Sequence, residues 1–256
     1  MKHICNFTVE DIKLLPFDDF ELSVTSAQDL EPVLPGQFVN ILVPDTQKTF
    51  LRRPISVYDV DVVARRLRFY IRIVGNGTKT LSKLRQGDML DILYPLGNKF
   101  KIENVKLPLL ICGCCGIAPL FYLAKTFFRK GIRPSVLMGG QTAASLSWTN
   151  DFDTFANVYR TTEDNTAGEH GRVTCHSILK KIKQFDQIYV CGPTAMMKSV
   201  ARLADLSDVP CAVSLENTMA CGIGACLCCV TETMDGNRCV CSDGPIFDIH
   251  ELKNFL

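Results

Sequence analysis

The sequence predicts a β-barrel followed by a parallel α/β unit and closed by a short cysteine-rich module. Three observations carry that prediction. Residues 1–102 hold short runs of alternating apolar and polar residues, cut by glycine and proline at strand-and-turn spacing. Residues 103–210 switch to continuous apolar runs that alternate with helical stretches, the pattern of a parallel sheet. Residues 211–256 are rich in cysteine and glycine and carry the spacing C-x4-C-x2-C followed by a further cysteine.

In the first segment, Leu67, Phe69, Ile71 and Ile73 alternate with Arg68, Tyr70 and Arg72, the period of a half-buried strand. Gly36, Pro44-Asp45, Gly75 to Thr78 and Gly87-Asp88 punctuate the strands, and several short strands at this spacing suggest a barrel. In the second segment, Leu107 to Cys112 reads as a buried strand. A turn follows, then a helix over Pro119 to Lys130 stopped by Gly131. Ser135 to Met138 and Ala156 to Arg160 are strands, and Val173 to Lys183 is a helix. Gln187 to Cys191 is a strand, and Thr194 caps a helix reaching about Leu206. From Cys211 onward the composition is that of a metal-binding loop.

The whole chain narrows the function classes. At 256 residues it has room for two domains or two plus a small module. The formal charge is +1 and no basic run stands out, so nucleic-acid binding is not expected. The most apolar run, Leu107 to Leu123, is interrupted by Gly113, Gly116 and Pro119, so no membrane span is expected either. Thirteen cysteines without an N-terminal secretory core point to reduced thiols in the cytoplasm, some of them devoted to metal. The four histidines are scattered and form no ligand spacing.

The chemistry sits in two places. Cys221, Cys226 and Cys229 stand at the plant-type spacing for a [2Fe–2S] cluster, with Gly222, Gly224 and Ala225 leaving room for backbone to wrap the sulfurs. A zinc site is the competing reading of C-x2-C, but the extra C-x4 arm and the glycine wrap favour the cluster. Spacing alone leaves the fourth ligand open among Cys241, Cys239 and Cys228. The second place is Arg53-Pro54-Ile55-Ser56. Pro54 biases Arg53 toward extended backbone. The Arg53 fork suits a pyrophosphate, and Ser56 suits a flavin edge. Tyr70 and Arg72 share one strand face nearby, and the N–H groups of Gly75-Asn76-Gly77-Thr78 can form a phosphate nest.

The order of these motifs, with Pro95-Leu-Gly-Asn98, Cys191-Gly-Pro, Met219-Ala-Cys221 and Cys241-Ser-Asp243-Gly-Pro-Ile-Phe247, resembles the ferredoxin-reductase superfamily. More narrowly it resembles the electron-transfer subunits of dihydroorotate dehydrogenase B, over nearly the whole chain. The resemblance implies a ferredoxin-reductase-like FAD barrel, a parallel-sheet NAD-binding domain and a C-terminal [2Fe–2S] module. It implies FAD at Arg53, Pro54, Ile55, Ser56, Tyr70, Ile71, Arg72, Gly77 and Thr78, and it selects Cys241 as the fourth ligand. It further implies an FMN-containing catalytic partner, two copies of each in a heterotetramer. Electrons from dihydroorotate would pass from that partner through the cluster and FAD to NAD, in pyrimidine biosynthesis. Met219, Ile223, Leu227 and Ile246 are then expected to supply apolar contact for the partner. No residue of this chain is assigned to dihydroorotate oxidation itself.

One departure stands out. Cys112-Gly-Cys-Cys-Gly116 replaces the glycine-rich turn the resemblance implies, and Cys114 and Cys115 add β-carbons where a pyrophosphate would approach. Cysteine is small, so the helix-start amides are expected to stay available. After Met138 the chain reads Gly139-Gly-Gln-Thr-Ala-Ala144, with no Lys or Arg to grip a 2′-phosphate, so NAD(H) is expected over NADP(H). Two rivals remain: a stand-alone NAD(P)H-dependent flavin and iron–sulfur reductase, and a zinc-stabilised interaction module.

Overall fold

The computed structural model describes residues 2–44 and 49–256, without the side chains of 147–150. Asp45, expected in a turn, lies outside the described residues. The N-terminal part is one antiparallel sheet. Its strands are β1 (His3–Leu15), β2 (Asp19–Ser26), β3 (Phe38–Ile41), β4 (Arg53–Ser56), β5 (Asp59–Asp61), β6 (Arg66–Arg72) and β7 (Met89–Leu96), in the order β4-β3-β7-β1-β2-β6-β5. The alternation read in β6 holds: Leu67, Phe69 and Ile71 enter the barrel core with Phe7, Phe20 and Ile92. Tyr70 is also buried, because a helix of the next domain covers the outer face. The sheet curls until β4 and β6 lie against each other, yet they are not sheet neighbours. A seam is left between them. The segment Gly75–Thr78 is the start of a short helix, α1 (Asn76–Leu81), and not an open loop.

The second part is a parallel sheet. Its elements are β8 (Pro108–Gly113), α2 (Ile117–Arg129), β9 (Ser135–Gly140), β10 (Asn157–Thr162), β11 (Glu169–His170), β12 (Gln187–Cys191), α3 (Thr194–Leu206) and β13 (Cys211–Ser214). Continuous burial along β8 matches its unbroken apolar run. α2 begins two residues before Pro119, which is tolerated because first-turn N–H groups have no helical partner. Gly131 stops it with φ of 81°.

Two expectations need correction. Val173 to Lys183 is not one helix. It is two 3₁₀ segments, Val173–Cys175 and Ser177–Gln184, broken at His176. His176 is extended and buried, and its Nδ1 accepts the Ile178 N–H at 3.1 Å, so the side chain restarts the chain where a helix would continue. Thr194 is the first helical residue of α3 and not its cap; Pro193 holds the cap position with no side-chain bond.

The C-terminal part leaves β13, forms a hairpin of β14 (Val230–Thr233) and β15 (Gly236–Cys239), and returns as β16 (Ile246–Asp248). β16 pairs antiparallel with β13 and closes the sheet order β11-β10-β9-β8-β12-β13-β16. Among the described residues no helix is long and apolar enough to cross a membrane.

Candidate functional site

The cysteine loop wraps as its glycines predict. Gly222 and Gly224 take φ of 72° and 88°, conformations that side chains rarely adopt. The wrap aims peptide N–H groups at sulfur. Those of Ile223 and Cys226 lie 3.4 Å from Cys221 Sγ. That of Gly224 lies 3.1 Å from Cys241 Sγ, and that of Cys241 lies 3.3 Å from Cys229 Sγ. Burial opposes ionisation of Cys221, but the N–H groups of Ile223, Cys226 and Ala225 outweigh it and bring the thiol down to about 6. Cys241 is pushed up by burial and by its hydrogen bond with the Cys229 thiol. Cys221 neighbours Cys226, and Cys229 neighbours both Cys241 and Cys239. Among the described residues no three His, Cys, Asp or Glu side chains form a ready metal-ligating group. The donor chemistry nonetheless fits a cluster, because N–H groups aimed at sulfur stabilise thiolate and tune iron–sulfur centres.

The remaining thiols separate. Cys228 is exposed, with its Sγ 3.6 Å from the Thr218 carbonyl. Cys239 is buried beside Cys229, and its N–H donates to Asp243 Oδ2 at 2.8 Å. Of Cys239 and Cys241, Cys241 is the one whose sulfur receives an N–H from the glycine wrap. The expected apolar contact surface divides too. Ile223 and Leu227 are 46 % and 65 % exposed, whereas Met219 and Ile246 are buried in the cores. Their apolar surface is spent on folding.

At the β4–β6 seam, Arg53 has no carboxylate partner among the described residues; its Nη1 donates to the Leu51 carbonyl at 2.7 Å. Its guanidinium packs against Gly77, where a Cβ would stand 2.4 Å from Arg53 Nε. Pro54, Ile55 and Ser56 are half-buried along the same edge strand. Thr78 Oγ1 accepts the Val74 N–H at 2.9 Å, so this hydroxyl fastens the turn. Ile71 points into the barrel core and offers the seam only its peptide. Tyr70 donates to Asp19 Oδ2. Arg72 grips the same carboxylate through Nε at 2.7 Å and Nη2 at 2.8 Å. Its Nη1 reaches Cys114 Sγ in the turn after β8, so Arg72 crosses from barrel to α/β unit.

A cleft of about 650 Å³ opens beside Arg72, lined by Gly113, Gly139, Gly140 and Pro193 at the C-terminal ends of β8, β9 and β12. β8 lies between β9 and β12 in the sheet, so the order in which parallel strands are added reverses here, the usual place for a nucleotide in such sheets. Gly116 brings α2 onto β12: a Cβ there would stand 2.1 Å from the Cys191 carbonyl oxygen. Cys114 takes φ of 56°, the left-handed conformation that glycine would supply at no cost. Burial pushes the Cys112 and Cys115 thiols up to about 12.

Three participants escaped sequence reading. Asp19, Arg172 and Asn40 belong to none of the motifs read from the sequence. The structure puts Asp19 under Tyr70 and Arg72, Arg172 in the cleft, and Asn40 under the cysteine loop. Only contacts across the fold reveal them.

Comparison with known proteins follows this geometry. Residues 216–253 match the family described as the iron–sulfur cluster binding domain of dihydroorotate dehydrogenase B. Residues 110–202 match the oxidoreductase NAD-binding domain. The dihydroorotate dehydrogenase B (NAD(+)) electron transfer subunit of Fusobacterium nucleatum is 34 % identical over 94 % of this chain and 95 % of its own length. That of Clostridium acetobutylicum is 37 % identical over 86 % of each. A solved chain from work on flavin-based electron bifurcation by NADH-dependent reduced ferredoxin-NADP oxidoreductase superposes with a TM-score of 0.87. It is 30 % identical and covers 96 % of this chain and 89 % of its own. The ferredoxin reductase in carbazole 1,9a-dioxygenase, at 21 % identity and a TM-score of 0.70 over 82 % of this chain and 67 % of its own, shares the fold alone.

Proposed function

Since the chain belongs to the family of dihydroorotate dehydrogenase B electron-transfer subunits, we propose that it relays electrons between a dihydroorotate-oxidising partner and NAD in pyrimidine biosynthesis. The observation that carries this reading is the placement of three sites in series. The thiol loop rests on the barrel, the β4–β6 seam lies beside it, and the cleft at the ends of β8 and β12 lies beyond Arg72. When bound, the cluster supplies one-electron steps and FAD couples them to the hydride chemistry of NAD.

The protein fixes positions and charges. Cys221, Cys226, Cys229 and Cys241 hold the [2Fe–2S] cluster. Arg53 grips the FAD pyrophosphate with its fork, over the Gly77 backbone that carries no side chain to obstruct it. Ser56 and the peptides of Tyr70 to Arg72 border the flavin along the seam. Asp19 is the anchor that keeps Tyr70 and Arg72 in place, since a buried carboxylate needs such partners. Arg172 and the backbone at Gly113 and Gly139 receive the dinucleotide. The chain divides at 102 and 210 into FAD barrel, NAD unit and cluster module, with β13 and β16 seating the module on the sheet. The partner is an FMN-containing dihydroorotate dehydrogenase subunit, two of each forming a cytoplasmic heterotetramer.

Anaerobically purified protein tests this reading. Two iron atoms and one FAD per chain are expected, with the spectrum of both. A colourless, zinc-containing protein would overturn it. The likeness to the ferredoxin-NADP oxidoreductase chain favours, as the second reading, a reductase serving another acceptor. Failure of any FMN protein to copurify would decide for that reading.

A further inference from the structure

Asn40 stands between the two redox parts of the chain. It lies in β3, in register with Pro54 of β4 on one side and Leu93 of β7 on the other, and is fully buried. Its Nδ2 donates to the Cys221 carbonyl at 3.4 Å, and its Oδ1 has no partner among the described residues. The amide orientation follows from the partner, because a carbonyl only accepts. A buried amide costs free energy where an apolar residue would fill a barrel strand without penalty.

The surroundings are shaped to this amide. Gly222 turns with φ of 72°, and a Cβ there would stand 2.5 Å from Asn40 Nδ2 and 3.4 Å from Leu96. On the backbone side, Arg52 Nη1 donates to the Asn40 carbonyl at 3.3 Å, and Arg52 is itself held by Asp91 at 2.7 Å. The peptide of the first cysteine is thus tied to the strand that pairs with Arg53–Ser56.

We propose that Asn40 is a positioning residue for electron transfer, holding the Cys221–Gly222 peptide so that the first cluster ligand keeps a fixed distance from the flavin strand β4. This rests on the preceding reading that the loop carries a [2Fe–2S] cluster. Asn40 exchanges no electron itself; each electron lost on one side is gained on the other, and the amide sets the gap. The connection runs from the Cys221 carbonyl through Nδ2 into β3, and across the β3–β4 pairing to Ile55 and Ser56.

The test uses the holoprotein. Asn40→Leu keeps the shape and removes the donor. Mixed anaerobically with NADH in a stopped-flow instrument, the variant should reduce its flavin at the wild-type rate. Its cluster should follow several times more slowly, and its reduced cluster should give a shifted EPR signal. Asn40→Ala, which likewise has no hydrogen to donate to the carbonyl, should behave alike. Loss of the cluster with flavin retained would also support the proposal, because all four thiols are untouched. Unchanged cluster reduction and an unchanged EPR signal would overturn it. So would loss of flavin and cluster together in both variants, which would assign Asn40 to the barrel core. Wild-type protein without iron would sink the cluster reading and this one together. Iron-loaded wild type with indifferent variants would sink this one alone.

Discussion

Asp19 shows what a single buried carboxylate can organise. It holds Tyr70 and the Nε and Nη2 of Arg72, whose remaining arm reaches Cys114 in the turn after β8. Nothing local announces this, since Asp19 is distant in sequence from Tyr70 and Arg72 and meets them only through the β2–β6 register. The cysteines are the opposite case. Three of the proposed ligands sit within one short loop, so their spacing alone places them together. We expect serine at Cys221, Cys226, Cys229 or Cys241 to lower the iron content sharply, whereas Cys228→Ser and Cys239→Ser keep it. Iron analysis with EPR checks this, and cluster loss in Cys239→Ser with retention in Cys241→Ser would reverse the choice of fourth ligand. Arg53→Ala should weaken FAD by about 2 kcal/mol, roughly thirtyfold in Kd. Arg53→Lys should recover part of it, because a point charge lacks the fork. Flavin retention on gel filtration reads out both, and equal content in wild type and Arg53→Ala would dismiss the contact.

At the scale of elements, periodic patterns were legible wherever burial alone decides them. The barrel strand β6, the buried strand β8 and the helix stopped by Gly131 follow from apolar period and end signals. Val173 to Lys183 was not legible, because its helical apolar spacing is overridden by one histidine that caps a new turn. The turn between β8 and α2 carries the clearest element-level test. Cys114 adopts φ of 56°, so Cys114→Gly should stabilise the protein by about 0.5–1 kcal/mol, the strain relieved less the extra flexibility of the unfolded chain. Gly116→Ala should destabilise by about 3 kcal/mol, because its Cβ would meet backbone and not a movable side chain. Urea denaturation of the two variants compares them directly. A destabilised Cys114→Gly would mean that the sulfur contact with Arg72 outweighs the strain.

At the scale of the molecule, the chain carries an exit for hydride and a port for single electrons but no proposed pocket for dihydroorotate. The isolated protein should oxidise NADH with artificial dyes and leave dihydroorotate untouched. Adding the FMN subunit should bring in dihydroorotate-dependent NAD reduction, and cluster-ligand variants should block it. Turnover of dihydroorotate by the isolated chain would end the subunit reading. Ile223 and Leu227 are exposed on the cysteine loop, where the proposed partner would dock. The manner in which that port is mounted has a consequence for the history and engineering of the chain. β13 and β16 are neighbouring antiparallel strands, so everything from residue 215 to 245 departs from and returns to almost the same place. Topologically it is a cassette. Its removal would reroute no other strand, but it would uncover the core that Met219, Val240 and Cys241 share with Phe38 and Leu96 of the barrel. By the same geometry, a two-domain reductase can gain a wire to a new redox partner through one insertion between adjacent strand ends.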